Sequence, residues 1–157
     1  MSDVSNYFVY NTPLGRLTVA SDGSSITHVL FGSCELDGVR RATALTNEAS
    51  NQLQEYLAGK RCRFDLPLAP SGSEFQLRVW EALCSIPYGE TRTYAEVAQM
   101  IGSPRSSRAV GSANNRNPIP LIIPCHRVIG ANGNLVGYAA GLHIKKWLLD
   151  MEARNRL

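Results

Sequence analysis

Hydrophobic and polar residues alternate in short bursts along the first third of the chain and recur at helical spacing along the rest. Tyr7-Phe8-Val9-Tyr10 is rich in strand formers, Leu17-Thr18-Val19-Ala20 alternates as a half-buried strand does, and Ile26-Thr27-His28-Val29-Leu30-Phe31 reads as a third strand. Asn11-Thr12-Pro13-Leu14-Gly15 and Ser21-Asp22-Gly23 between them are turn chemistry, so the segment predicts an antiparallel meander. A helix is expected from Asn47 to Ala58, with Ala49, Leu53, Tyr56 and Leu57 on its apolar face and Gly59 as its stop. Phe64-Asp65-Leu66 is expected as a short edge strand. The stretch from Pro67 to Gly72 reads as a linker, which divides the chain into domains 1–70 and 71–157.

The second half is mainly helical. Ser73 with Gln76 forms a capping-box pair before a helix that runs to about Cys84, with Phe75, Val79, Trp80 and Leu83 facing inward. Thr93 with Glu96 repeats the signature and opens a helix to about Ile101. Gly102-Ser103-Pro104 breaks that helix, and another is expected from Arg105 to Asn115 before Asn117-Pro118-Ile119-Pro120 stops it. Short helix, tight turn, short helix is the outline of a helix-turn-helix unit. A last helix is expected from Leu142 to Asn155. The fold class is therefore mixed α/β, of the α+β kind: a small antiparallel sheet with a helix, then a helical domain.

Composition narrows the classes. With 44% hydrophobic and 18% charged residues in 157, the chain is globular rather than disordered. Its net charge of +3 suits nucleic acid weakly. No apolar stretch approaches the length of a membrane span, and Met1-Ser2-Asp3-Val4-Ser5 lacks the basic-then-apolar character of a secretory leader. Cys34, Cys62, Cys84 and Cys125 are scattered without CxxC spacing, which suggests neither a zinc ribbon nor a redox dithiol and fits a cytoplasmic protein. Cys34, Cys62 and Cys84 read as small buried hydrophobes, Trp80 and Trp147 as core residues, and His28 and His143 as structural or exposed.

The chemistry concentrates at Pro124-Cys125-His126-Arg127-Val128, entered by Leu121-Ile122-Ile123. One thiol lies beside a titratable imidazole in a segment apolar enough to be buried. Two readings stand on these residues alone: a structural cysteine in a hydrophobic strand, or a reactive thiol served by a neighbouring base and positive charge. In an extended segment adjacent side chains point to opposite faces, so Cys125 and His126 would need a water between them. The helix ahead of this segment has almost no bulky residues. Ala109, Gly111, Ser112 and Ala113 permit close approach, Arg105, Arg108 and Arg116 supply charge, and Ser106 and Ser107 can bond phosphates. The same small residues would also suit a tightly packed internal helix.

Together these blocks resemble the O6-alkylguanine-DNA alkyltransferase family, the methylated-DNA–protein-cysteine methyltransferases. The matching residues are Ile123 to Val128, Asn117-Pro118, Arg108-Ala109-Val110-Gly111, and Gly89-Glu90-Thr91 with Tyr94. Downstream they are Gly137-Tyr138, Gly141-Leu142, Lys145 to Leu149, and Glu152. The resemblance is dense over 73–154 and loose before it, through Thr12-Pro13-Leu14-Gly15. It implies a ribonuclease H-like first domain and a winged-helix-like second domain. It also implies irreversible transfer of an alkyl group from O6 of guanine, and less well from O4 of thymine, to the protein's own cysteine. On that resemblance Cys125 is the acceptor, His126 the base acting through a water, Glu152 the carboxylate that orients it, and Tyr94 the proton donor to guanine N3. Asn117 holds the turn before the cysteine segment. Arg108 enters the duplex in place of a flipped nucleotide, with Tyr94, Ala109, Ser106 and Arg127 also at the DNA. Tyr138, Ala139, Ala140 and Pro120 line the pocket.

The chemistry is consistent with that assignment. An O6-alkylated guanine is a weak electrophile, which calls for a thiolate attacker. The target atom faces the duplex interior, which calls for base flipping. The expected partner is double-stranded DNA carrying the lesion, bound by a monomer, with cooperativity on DNA left open; no cofactor, metal or membrane is expected. One departure is Ala139-Ala140, where relatives carry Ser or Gly, and the extra methyls are expected to slow bulky adducts. Three other classes compete: a sensor of alkylated DNA without transfer, a cysteine hydrolase, and a transcriptional regulator. Stoichiometry separates them, because a self-alkylating acceptor reacts once, a hydrolase turns over and a regulator does neither.

Overall fold

The computed structural model describes residues 3–156, which form two compact units: residues up to 71 together with 118–120, and residues 72–117 with 121 onward. In the first unit β1 (Asn6–Thr12), β2 (Gly15–Ser21) and β3 (Ile26–Phe31) form the expected meander, each antiparallel to the next. The β1–β2 hairpin pairs Thr12 with Gly15. The Thr12 hydroxyl accepts the Leu14 N–H at 3.1 Å and donates to the Gly15 carbonyl at 2.6 Å, fixing the turn from within. β2 lies between β1 and β3, and Leu17 to Ser21 are all buried.

Three features of this unit differ from the sequence expectation. A two-residue strand, β4 (Val39–Arg40), runs parallel to β1. It is too short and too exposed to carry an alternating signal. Helix α1 (Ala44–Leu57) begins before the expected Asn47, because Thr43 and Thr46 form a reciprocal capping box in which a threonine replaces the usual Glu or Gln. Phe64–Leu66 is not a strand. The Asp65 backbone is satisfied by the Gln52 side chain of α1, which accepts its N–H at 2.8 Å and donates to its carbonyl at 3.1 Å. The pairing falls instead in the expected linker, where Leu68 bridges Ile26. On β3, the Val29 N–H donates to Pro118 at 2.9 Å, so residues 118–120 group with this unit and not with the second half of the chain.

The second unit holds α2 (Glu74–Cys84), β5 (Arg92–Thr93), α3 (Tyr94–Met100), α4 (Ser107–Asn115), β6 (Val128–Ile129) and α5 (Leu142–Asn155). Both capping boxes form as the sequence predicts, Ser73 with Gln76 and Thr93 with Glu96. Val79, Trp80 and Leu83 of α2 are buried, and the Trp80 indole N–H donates to the Ala113 carbonyl of α4 at 2.8 Å. β5 and β6 pair in parallel, so the exit of the cysteine segment is tied to the start of α3. The cysteine segment itself is not a strand: Cys125–Arg127 is one turn of 3-10 helix behind Pro124. Trp147 is 36% exposed on α5 rather than core, and Cys62 and Cys84 are exposed while Cys34 is half-buried. Among the described residues no helix is long and apolar enough to cross a membrane.

Candidate active site and nucleic-acid face

The turn at Cys125–Arg127 places three consecutive buried side chains in one region, where an extended strand would have sent them to alternate faces. Consecutive side chains of a 3-10 turn are about 120° apart, and His126 and Arg127 both reach Glu152. The turn is held from two sides. Asn114 of α4 donates to the Cys125 carbonyl at 3.3 Å, and Asn117 donates to the Ile123 carbonyl at 2.8 Å. Asn117 thus spans the bend between α4 and the cysteine. Leu121, within this bend, is the one non-glycine residue among those described with a left-handed backbone, at φ 74°.

Glu152 of α5 is the hub. One carboxylate oxygen meets His126 Nε2 at 2.7 Å and accepts Arg127 Nη2 at 3.0 Å. The other accepts Arg127 Nε at 2.9 Å and the Gly89 N–H at 3.1 Å. His126 and Glu152 are fully buried. Burial would raise the Glu152 carboxyl, but the hydrogen bonds and charges of His126 and Arg127 outweigh it and bring the pKa down to about 2. Burial pulls the His126 imidazole below its usual value. Glu152 opposes that shift, and the charges of Arg127 and Lys145 add to it. His126 is consequently neutral near pH 7 and able to take a proton. Burial pushes the Cys125 thiol up to about 11, with the Asn117 side chain and the Lys145 charge pulling the other way. A thiol in this state needs a base before it can attack.

The segment before α5 closes over this cluster. Tyr138 is half-buried with its hydroxyl inside, and its pKa is pushed well above the usual tyrosine value, first by burial and then by Cys125 and Glu152. Ala140 is half-buried and Ala139 exposed. The Tyr94 hydroxyl donates to the Val136 carbonyl at 3.3 Å; burial, followed by the Cys125 charge, raises its pKa, so it stays protonated. Lys145, fully buried, donates to the Val128 carbonyl at 2.6 Å and to Val136 at 2.8 Å, which pins this segment to β6. Burial lowers its pKa to about 8, against the Cys125 charge. Among the described residues no group of His, Cys, Asp or Glu is placed to hold a metal.

Helix α4 presents a different surface. Val110, Ala113 and Asn114 face inward, whereas Arg108, Ala109, Ser112 and Asn115 lie exposed at helical spacing, flanked by exposed Arg105 and Arg116. Ser106 is half-buried and its hydroxyl is shared with Ser103. The Tyr94 ring lies against Gly111, where an added Cβ would sit 3.7 Å from it. The result is a cationic, small-residue face beside the side chain expected to donate a proton.

One sequence expectation does not hold. Arg127 does not reach a DNA surface: it is 7% exposed, forks onto Glu152 and donates to the Ile86 carbonyl at 2.7 Å. Pro120 is buried. Lys145 enters the sequence reading only as part of a matching block, and neither it nor Asn114 has a role there. A lysine between His143-Ile144 and Trp147-Leu148 was the available signal, because on a helix it shares the inward face with Leu148 and Glu152.

Comparison with known proteins follows the same division. Residues 74–154 match the family model described as 6-O-methylguanine DNA methyltransferase, DNA binding domain, and residues 6–70 match its ribonuclease-like domain. The chain is 52% identical over 151 residues to the methylated-DNA–protein-cysteine methyltransferase of Methanosarcina acetivorans, covering 93% of this chain and 97% of that one. It is 44% identical over 155 residues to the constitutive enzyme of that name from Bacillus subtilis, covering 93% and 94%. Among solved structures, Mycobacterium tuberculosis OGT in complex with DNA superposes with a TM-score of 0.89 at 44% identity, covering 96% and 94% of the two chains. With both domain models matched and relatives this similar along nearly their whole length, the chain belongs to the 6-O-methylguanine DNA methyltransferase family.

Proposed function

We propose that the protein repairs alkylated DNA by transferring an alkyl group from O6 of guanine to Cys125, once per molecule. The observation that carries this reading is the buried His126–Glu152 contact of 2.7 Å in the same turn as a buried thiol. Relatives named for this activity support it. His126, kept neutral, takes the thiol proton through a water by way of Nδ1, since Nε2 faces Glu152. The sulfur attacks the alkyl carbon, the carbon–O6 bond breaks and its electron pair stays with guanine. Tyr94 gives a proton to guanine N3 and is reprotonated through solvent with the proton His126 took. The products are alkylated Cys125 and unmodified guanine. No base restores the thiol, which makes the reaction self-limiting.

The lesion has to leave the stack to reach a cysteine that is 5% exposed, at a cost of a few kcal/mol. The exposed face of α4 suits the DNA side of that event, with Arg108 filling the vacated place and Ala109 permitting close approach. Tyr138 and Ala140 wall the base. O4-alkylthymine is a poorer substrate on this reading, and the protein works as a monomer in the cytoplasm beside its DNA. The test is mass spectrometry after mixing with a duplex that carries one O6-methylguanine. The expected result is one methyl per molecule on the Cys125 peptide and a restored guanine. Lesion binding without modification would indicate a sensor, and turnover beyond one equivalent would indicate a different chemistry.

A further inference from the structure

Arg127 has no part in the proton path just described, yet it is among the most heavily engaged side chains of the second unit. Its guanidinium places Nε and Nη2 on the two oxygens of Glu152 at 2.9 and 3.0 Å, and Nη1 on the Ile86 carbonyl at 2.7 Å. Its charge also stands 5.7 Å from the centre of the Tyr88 ring. A planar fork on a carboxylate fixes both the rotation and the position of that carboxylate, which a lysine cannot do. The Glu152 oxygen that receives Nη2 is the one that meets His126 Nε2. Holding the carboxylate plane therefore sets the direction of the imidazole and which of its nitrogens remains for the thiol. The fork lies one residue from His126, so the chain cannot move one without the other.

We propose that Arg127 is a positioning residue of the repair reaction: it locks Glu152 across His126 in one orientation and, as a buried cation, keeps His126 in its neutral, proton-accepting form. This rests on the assignment of Cys125 and His126 as acceptor and base. The groups that face the imidazole have definite signs. Glu152 from α5 favours its charged form, while Lys145 from α5 and Arg127 from its own turn disfavour it. Around them Tyr88 lies against Arg127, Tyr138 lies within the field of Glu152, Cys84 at the end of α2 lies within that of Arg127, and Cys125 within that of Lys145. Removing Arg127 deletes one of two positive charges near the imidazole and leaves the Glu152 charge on His126 unshared with a guanidinium. Both changes raise the imidazole pKa. Because the neutral imidazole is the base, the acid limb of the rate profile moves to higher pH.

The test compares Arg127→Met and Arg127→Lys with the unaltered protein. Single-turnover methyl transfer from an O6-methylguanine duplex is followed from pH 5 to 9, and the His126 ring is titrated by NMR on histidine-labelled protein. Arg127→Met is expected to raise the His126 titration and the acid limb together by about one pH unit, which lowers the rate about tenfold on the acid side. Arg127→Lys keeps the charge and loses the fork. It is expected to leave the acid limb in place and to lower the pH-independent rate, and it carries the test if the Met variant does not fold. A rate that falls equally at every pH in Arg127→Met with an unmoved His126 titration, or full activity in either variant, overturns the proposal. Failure of the unaltered protein to take up methyl would instead refute the assigned function, while the histidine titration still reports on Arg127.

Discussion

Glu152→Gln isolates the carboxylate's charge with almost no change of shape. In the native protein its pKa lies at about 2 against an ordinary 4.5, a shift worth about 3 kcal/mol of stability at neutral pH. The variant also leaves Arg127 as a buried cation without a counterion, which puts the total loss at about 3–5 kcal/mol. The sign with pH follows from the depressed folded value. The contribution is complete above about 4.5 and is lost as pH falls toward 2; at pH 3 about 2 kcal/mol of it is gone. The gap in unfolding free energy between native and variant protein should therefore narrow from about 3 kcal/mol or more at pH 7 to about 1–3 kcal/mol at pH 3. Urea unfolding followed by tryptophan fluorescence measures this, with buried Trp80 as the reporter most sensitive to opening of the α2–α4 contact. A gap that stays constant between pH 7 and pH 3 would refute the claim that an ionised Glu152 holds the turn.

Gly111→Ala should stabilise the protein by about 0.5–1 kcal/mol, seen as a rise of about 1–4 °C in Tm, because the new methyl meets the Tyr94 ring at an ordinary 3.7 Å and α4 loses a flexible residue; a fall in Tm would refute that account of the contact. Arg108→Ala should weaken binding to a lesion duplex and slow methyl transfer while leaving the chemical unfolding curve unchanged, since its side chain is exposed on α4. The log–log salt slope of binding should change by at most about one unit, the share of a single phosphate contact. Ala140→Gly should speed inactivation by O6-benzylguanine relative to the unaltered protein, because Ala140 is half-buried in the segment beside Tyr138; equal rates would remove the role given to its methyl.

Much of the fold was legible where local chemistry and tertiary demand coincide. The meander, α5 and the two capping boxes of the helical half all follow from signals contained within a few residues. The misses share a cause in contacts from distant parts of the chain. Asp65 lies in a stretch with strand-like composition, but Gln52, thirteen positions earlier on α1, takes both of its backbone groups. β4 exists only because β1 offers it an edge. Thr43 and Thr46 form a capping box with an unusual partner, so the helix starts ahead of its apolar pattern.

The site divides in the same way, and its arginines show why. The family resemblance places Arg108 and Arg127 both at the DNA, but their surroundings are opposite. Arg108 occupies a helix face on which Ala109, Ser112 and Asn115 are also exposed, and among the described residues no carboxylate pairs with it. Arg127 follows two buried residues in a turn that α5 covers, and the carboxylate that covers it lies 25 positions away. A cation carried into such a place stays only if a counterion arrives with it. Glu152 is that counterion. The sequence pairs Glu152 with His126 by resemblance alone, and only the fold reveals that the same two oxygens also serve Arg127. The single carboxylate therefore ties the motif's second and third residues together. Losing it removes the partner of His126 and of the Arg127 cation in one step, which is why the charge on Glu152, more than any exposed side chain of α4, is expected to govern stability and, on the proposed reading, proton transfer together.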